Sequence, residues 1–200
     1  GEIIKDHASV LSTSELSEMG DFIFQSGKRF YDLVQKYLLY IRFAVNKQSG
    51  EPGQSCVNTQ SVISSAASQM AESCQRLEDL TTDIQDVHLA ISEEELHIMV
   101  RELTDNAFKF SIPGEKVNIS GYTADDYFEL TVKDQGRGIP KDTIRQIGAF
   151  MQFDREKYEQ QGIGLGLFLV RQIAELHQGG IEIESDPRQG TLISVRIPRA

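Results

Sequence analysis

The sequence predicts an α+β protein: a two-layer α/β sandwich whose sheet is mixed and mostly antiparallel, preceded by a partial helical hairpin. Three observations carry this. Apolar residues recur at helical spacing through the first 46 positions, a polar Gly/Pro-bearing stretch interrupts them, and alternating strand-like runs then follow helix-like segments. Two hundred residues with net charge −10, 40% hydrophobic and 25% charged residues, 16 Gly and 5 Pro describe an ordinary folded chain of one or two domains.

Residues 2–11 read as the tail of an earlier helical arm. Ser12-Thr13-Ser14-Glu15 fits a capping box and opens a helix from about Ser14 to Asn46, ~50 Å long at 1.5 Å per residue. Ile23, Phe30, Val34, Tyr37, Ile41 and Ala44 fall at spacings of three, four and seven, close to a coiled-coil seam, so this helix needs a bundle or dimer partner or must pack on its own domain. Asn46 to Gln54, with Gly50, Pro52 and Gly53, is a hinge or linker. The domain reading is therefore a hairpin at 1–48, a linker at 49–54 and a second domain at 55–200.

In that second segment Ser61 to Arg76 is predicted helical, and Thr81 to Ile91 holds short strand-like pieces. Ser92-Glu93-Glu94-Glu95 is a second capping box, opening a helix with Leu96, Met99, Val100, Leu103, Ala107 and Phe110 on its apolar face and ending before Pro113-Gly114. Lys116 to Tyr122 and Tyr127 to Lys133 alternate as strands. A polar stretch from Pro140 to Gln161 precedes an apolar helix from about Leu165 to His177, and strands are expected near Ile181 to Glu184 and Leu192 to Ile197.

Composition excludes several classes. The longest apolar runs are far short of the roughly 20 residues of a membrane span, so no membrane contact by this chain and a cytoplasmic location are expected. Residues 51–100 carry one basic residue against nine acidic ones, which argues against nucleic acid as a partner. Cys56 and Cys74 form no CxxC pair and have no His at ligand spacing, so free thiols are expected rather than a zinc site.

Three groups of residues could carry chemistry. Glu102, Asn106 and Lys109 lie at i, i+4 and i+7, one polar stripe beside the apolar face: a solvated surface, or a set in which Asn offers an amide oxygen to Mg²⁺, Glu holds a water of that ion and Lys neutralises a phosphate. Asp134-Gln135-Gly136-Arg137-Gly138-Ile139 follows a strand. It is a simple turn, or a carboxylate that accepts from a base amino group while glycine backbone approaches the ring. Gly162-Ile163-Gly164-Leu165-Gly166-Leu167 precedes an apolar helix, where backbone N–H groups and the positive helix end can meet phosphate oxygens.

In this order, and with Glu102-Leu103-Thr104-Asp105-Asn106-Ala107-Phe108-Lys109-Phe110-Ser111, these motifs resemble the catalytic ATP-binding domain of bacterial sensor histidine kinases, relatives of the gyrase, Hsp90 and MutL ATPases. The resemblance covers about residues 55–198 and implies a Bergerat-type fold with three helices in that segment. It implies that Asn106 binds Mg²⁺, with Glu102 acting through water, that Asp134 binds adenine, and that Gly136, Gly138, Ile139, Gly162, Gly164, Leu165, Gly166 and Leu167 line ATP. Phe150-Met151-Gln152-Phe153-Asp154-Arg155 is similar to the family's aromatic lid box, which places Phe150, Phe153 and Arg155 beside the nucleotide, and Thr191 matches a threonine in the water network around adenine.

The implied activity is transfer of the ATP γ-phosphoryl to a histidine on a helical bundle and thence to a response regulator receiver domain. The implied partners are that receiver domain, a helical phosphoacceptor domain, and a second copy joined through the hairpin. None of His7, His88, His97 and His177 is followed by the acidic residue of the family's phosphoacceptor, so residue 1 is expected to fall after that box. An ATP hydrolase or conformational clamp of the same superfamily, with Glu102 activating water, and a non-catalytic dimerising signal module are the alternatives.

Overall fold

The structure is a computed structural model, and it describes residues 12–49, 56–140, 144 and 165–199. The chain divides into two compact units, Gly1–Arg42 and Phe43–Ala200. Helix α1 (Thr13–Ser49) supplies nearly all of the described part of the first unit, runs on past its end at Arg42, and begins where the capping box requires. The Ser12 hydroxyl accepts from the Glu15 amide at 3.3 Å, while the Glu15 carboxylate accepts from the Ser12 amide at 2.8 Å. Phe22, Ile23, Phe24, Phe30, Tyr31, Val34, Tyr37, Leu38 and Ile41 are all exposed along it.

The second unit contains β1 (Cys56–Asn58), α2 (Thr59–Ser73), a 3₁₀ turn (Leu77–Asp79), β2 (Leu80–Ile84), β3 (His88–Ala90) and α3 (Glu93–Phe110). After these come β4 (Val117–Ala124), β5 (Tyr127–Asp134), α4 (Leu165–Leu176), β6 (Gly180–Asp186) and β7 (Gly190–Pro198). Five strands form one sheet in the order β2-β4-β5-β7-β6. The β2–β4 pair is parallel, because the chain leaves β2 and returns to β4 through α3, and such a crossover brings the second strand back in the same direction. The other pairs of this sheet are antiparallel, so it is the mixed one the sequence predicts.

The alternation in β4 and β5 turns Val117, Ile119, Phe128, Leu130 and Val132 toward the interior, where they meet the helices. On α3, Leu96, Met99, Val100, Leu103 and Ala107 are buried as the spacing predicts. Phe110, the last member of that face and the last residue of α3, is only half-buried. Ile63, Ala66 and Ala67 of α2 and Leu169, Val170 and Ile173 of α4 complete the core. The small alanines let α2 pack closely on α3.

Two features escape the periodicity reading. β1 is three residues long and pairs antiparallel with β3, Val57 opposite Leu89. It leads into α2, which starts at Thr59 rather than Ser61 because Asn58 caps it, accepting from the Ser61 amide at 3.2 Å. Cys74 is a free, exposed thiol. Among the described residues no helix is long and apolar enough to cross a membrane.

Candidate functional site

The Asp134 loop is set between two other elements by backbone contacts. Asp134 ends β5 opposite Val117 and is 6% exposed. Its carboxylate accepts the Gly136 amide at 2.8 Å, and the Thr191 amide also favours its charged form. Burial pushes its pKa above the usual carboxylate value, against the two amides, which pull it down. Thr191 is itself buried at the start of β7.

On one side the loop rests on the end of α3: the Arg137 amide donates to the Phe110 carbonyl at 3.2 Å, and a Cβ on Gly136 would collide with that carbonyl. On the other side it rests on the β6–β7 turn. There Gly138, at φ +68°, lies so close to the Asp186 carbonyl that a Cβ could not fit, and the Arg188 amide donates to the Arg137 carbonyl at 2.9 Å. Two of the glycines in the motif are therefore demanded by close backbone approach. The Ile139 amide donates to Ser185 Oγ at 2.8 Å, and that hydroxyl lies 3.1 Å from Thr191 Oγ1. Ser185 thus ties the loop to the strand carrying Thr191. No sequence pattern marks it; the link exists only once β6 and β7 pair.

The stripe on α3 runs from interior to surface. Glu102 is 1% exposed, with Oε1 3.1 Å from Arg101 Nη2. Its other carboxylate oxygen lies against the second residue of α4: a Cβ on Gly166 would come within 2.5 Å of Oε2. Asn106 is half-buried one turn further on. Lys109 is exposed, its Nζ 5.9 Å from the centre of the Phe110 ring, whose face also carries the Arg137 guanidinium at 4.9 Å. An open cleft of about 650 Å³ is lined by Lys109, Phe110, Gly136, Arg137 and Arg188 among others, so the end of the stripe and the Asp134 loop share one concavity.

Leu165 opens α4 and Leu167 is buried in the core. Gly162, Gly164, Phe150, Phe153 and Arg155 lie outside the described residues. The site thus brings together Asp134, Gly136, Gly138, Ile139 and Thr191 as one cluster and Glu102 and Gly166 as another, joined by the α3 stripe. Among the described residues no group of three or more His, Cys, Asp or Glu could hold a metal ion by itself. An ion carried in by phosphates needs only one or two protein oxygens, and the amide of Asn106 and carboxylate of Glu102 are hard donors of that kind.

A glycine loop at the end of an antiparallel strand, a buried carboxylate held by backbone amides, and a polar helix stripe beside a helix start define a nucleotide-binding α/β sandwich. Residues 91–200 match the model of the "Histidine kinase-, DNA gyrase B-, and HSP90-like ATPase" family, and the chain belongs to that family, with an ATP-binding domain of the bacterial sensor histidine kinase kind. It is 38% identical over 101 residues to "Histidine protein kinase DivJ" of Caulobacter vibrioides, covering 50% of this chain and 17% of that protein. It is 31% identical over 119 residues to "Heme sensor protein HssS" of Staphylococcus haemolyticus, covering 60% and 26%. The chain therefore spans about a quarter or less of the length of these relatives. The solved structure of "Mycobacterial sensor histidine kinase MprB" superposes with a TM-score of 0.60 at 27% identity, over 73% of this chain and 97% of that one.

Proposed function

We propose that this chain is the ATP-binding portion of a two-component sensor histidine kinase, holding Mg-ATP so that its γ-phosphoryl faces a histidine on a helical bundle. The observation that carries this reading is the Asp134 cluster: a buried carboxylate with its glycine loop fixed between the end of α3 and the β6–β7 turn. In this reading Asp134 accepts the adenine amino group, and Gly136, Gly138, Ile139 and Thr191 shape the base pocket. Asn106 supplies an oxygen to Mg²⁺ and Glu102 orients one of its waters. The ion, when bound, neutralises charge on the phosphate oxygens. Lys109 neutralises a phosphate, and the α4 start at Leu165, Gly166 and Leu167 presents backbone N–H groups and a positive helix end to the phosphate tail.

A neutral imidazole is already a nucleophile, so the chain needs no strong base for the transfer and its task is positioning and charge neutralisation. Residues 1–48 would belong to a dimerising helical hairpin, 49–54 to a linker and 55–200 to the catalytic domain. The receiver domain of a response regulator would be the final acceptor. The test is to incubate the chain with γ-labelled ATP and a separately supplied helical hairpin bearing a phosphoacceptor histidine. Acid-labile label on that hairpin, dependent on Mg²⁺ and lost in Asn106→Ala, is the expected result. Release of inorganic phosphate with no label on the hairpin would overturn the kinase reading in favour of a hydrolase.

A further inference from the structure

The last turn of a helix leaves four carbonyls without partners in the helix. At the end of α3, three of them are met by groups from elsewhere. Ala107 O accepts from Ser111 Oγ at 2.7 Å, Phe108 O from Arg76 Nη1 at 3.0 Å, and Phe110 O from the Arg137 amide of the Asp134 loop at 3.2 Å. The loop proposed to read the base therefore caps the helix that carries Asn106 and Lys109.

Arg76, the one basic residue between positions 51 and 100, holds the rest of this corner. Its Nη1 also reaches Ser111 O and Ser111 Oγ, both at 3.0 Å. Its Nη2 donates to Ile112 O at 2.7 Å and Glu115 O at 2.9 Å, and its Nε to Asp79 Oδ2 at 2.8 Å. The guanidinium lies 4.8 Å over the Phe108 ring. A cation 7% exposed is costly unless its donors are filled, and here every nitrogen of the guanidinium donates. Asp79 completes the arrangement by accepting the Gly114 amide at 3.0 Å. Its carboxyl is held below the usual range, first by the Arg76 hydrogen bond and then by the Gly114 amide.

The segment clamped in this way, residues 108–115, forms one wall of the Asp134 loop. Lys116, the next residue, donates its amide to Gln135 Oε1 at 3.0 Å, and Val117 pairs with Asp134 across the sheet. We infer that Arg76 is a positioning residue for nucleotide binding: it fixes the Phe110 carbonyl and the following turn, and these set the Asp134 carboxylate in register with the base. The inference rests on the proposed reading of Asp134. Arg76 acts through Phe110 and the turn. Lysine could not replace it, because one ammonium cannot span acceptors as spread as Phe108 O, Ile112 O and Glu115 O, which the planar fork reaches together.

The experiment compares the full chain with Arg76→Lys, Asp79→Asn and Asp134→Asn, well below their melting temperatures. It measures Kd for ATP and for GTP and the hydrogen exchange of the Arg137 amide. Arg76→Lys should raise the ATP Kd about tenfold, as expected when one charge-assisted hydrogen bond to the base is weakened. The preference for ATP over GTP should narrow, since guanine has a carbonyl in place of the 6-amino group from which Asp134 would accept a hydrogen bond. The Arg137 amide should exchange faster while the β5–β7 ladder keeps its protection. A merely structural role would lower Tm and leave Kd, preference and Arg137 exchange as in the parent, and that result overturns the inference. If Arg76→Lys does not fold, Asp79→Asn carries the same comparison, because it loosens both Arg76 Nε and the Gly114 amide. A parent chain that binds no ATP would overturn the proposed function and this inference together. Parent-like Asp134→Asn would remove the Asp134 reading on which both stand. Weakened Asp134→Asn beside parent-like Arg76→Lys and Asp79→Asn would overturn this inference alone.

Discussion

Glu95 and His177, 82 positions apart, meet with 3.1 Å between Oε2 and Nε2, and this contact ties the first turn of α3 to the residue that follows α4. The same Glu95 oxygen accepts the Ser92 amide at 3.0 Å and the Ser92 hydroxyl at 2.7 Å, so the capping box of one helix is also the anchor for the end of another. The Glu102–Gly166 approach fixes α3 to the other end of α4. The two contacts hold the polar stripe and the start of α4 in one fixed relation.

The stability of this junction depends on pH. Burial alone would raise the Glu95 pKa, but the hydrogen bonds from His177 and Ser92 outweigh it and bring the carboxyl down to about 2. A carboxyl whose folded pKa lies below its unfolded value stabilises the fold fully above the unfolded pKa, near 4.5, and the gain is lost as pH falls toward 2. Glu95→Gln should therefore lower Tm at pH 7, and the gap to the parent should shrink to less than about half at pH 3. Melting curves at pH 7, 4.5 and 3 check this, and a gap independent of pH would refute it.

Asp134→Asn should raise the ATP Kd about 10- to 100-fold, the loss of one charge-assisted hydrogen bond, while the free protein keeps its fold. Burial raises the Asp134 pKa above 3.8, so in the parent ATP affinity should decline on acidification at a higher pH than an exposed aspartate would give. Titration calorimetry across pH measures both effects. An affinity unchanged by the substitution would remove Asp134 from the site.

Gly136→Ala should be destabilising by roughly 1–3 kcal/mol and should weaken ATP as well, because its Cβ would strike the Phe110 carbonyl, which is backbone and cannot swing aside. Gly20→Ala on α1, where a Cβ meets nothing within 4 Å, serves as the control and should be neutral or slightly stabilising. Chemical denaturation of both variants makes the comparison. A Gly136→Ala variant as stable as the parent would contradict the close approach.

Asn106→Ala should leave Tm without ligand close to that of the parent, since Asn106 is half-buried on the polar stripe and outside the core face of α3. Its Mg-ATP-induced rise in Tm should be lost. The paired measurement separates a ligand from a structural residue. A normal shift with Mg-ATP would refute the metal role.

The legible parts of this molecule are those set by local chemistry. The boxes at Ser12–Glu15 and Ser92–Glu95 announce α1 and α3, because the residues that satisfy the first amides of a helix sit within four positions of one another. Alternation places β4 and β5, and the apolar face of α3 is buried as far as Ala107. The glycines at 136 and 138 are visible as a motif, but their physical reason is the carbonyls of Phe110 and Asp186, which only the closed fold brings beside them. Arg76 and Ser185 are hidden for the same cause. Each also has partners tens of residues away, Ile112 for Arg76 and Ile139 for Ser185, which no pattern in a single sequence brings together. β1 escapes because three residues are too few to show a period.

No histidine in this chain precedes an acidic residue: His7 is followed by Ala8, His88 by Leu89, His97 by Ile98 and His177 by Gln178. His177 is buried against Glu95, which occupies its Nε2, and reaching that nitrogen would require breaking the contact between α3 and α4. His97 is half-buried on α3, and His88 is exposed but lies within the β1–β3 pair. Incubated alone with γ-labelled ATP and Mg²⁺, the chain should bind nucleotide and acquire no acid-labile, base-stable phosphate on itself. Mass spectrometry after digestion at neutral pH reads the outcome site by site. Stoichiometric label on His7, which lies outside the described residues, would place the phosphoacceptor within this chain. Label on His88, His97 or His177 would show that the ATP-binding segment phosphorylates itself, and that would contradict the proposed transfer to a separate helical bundle.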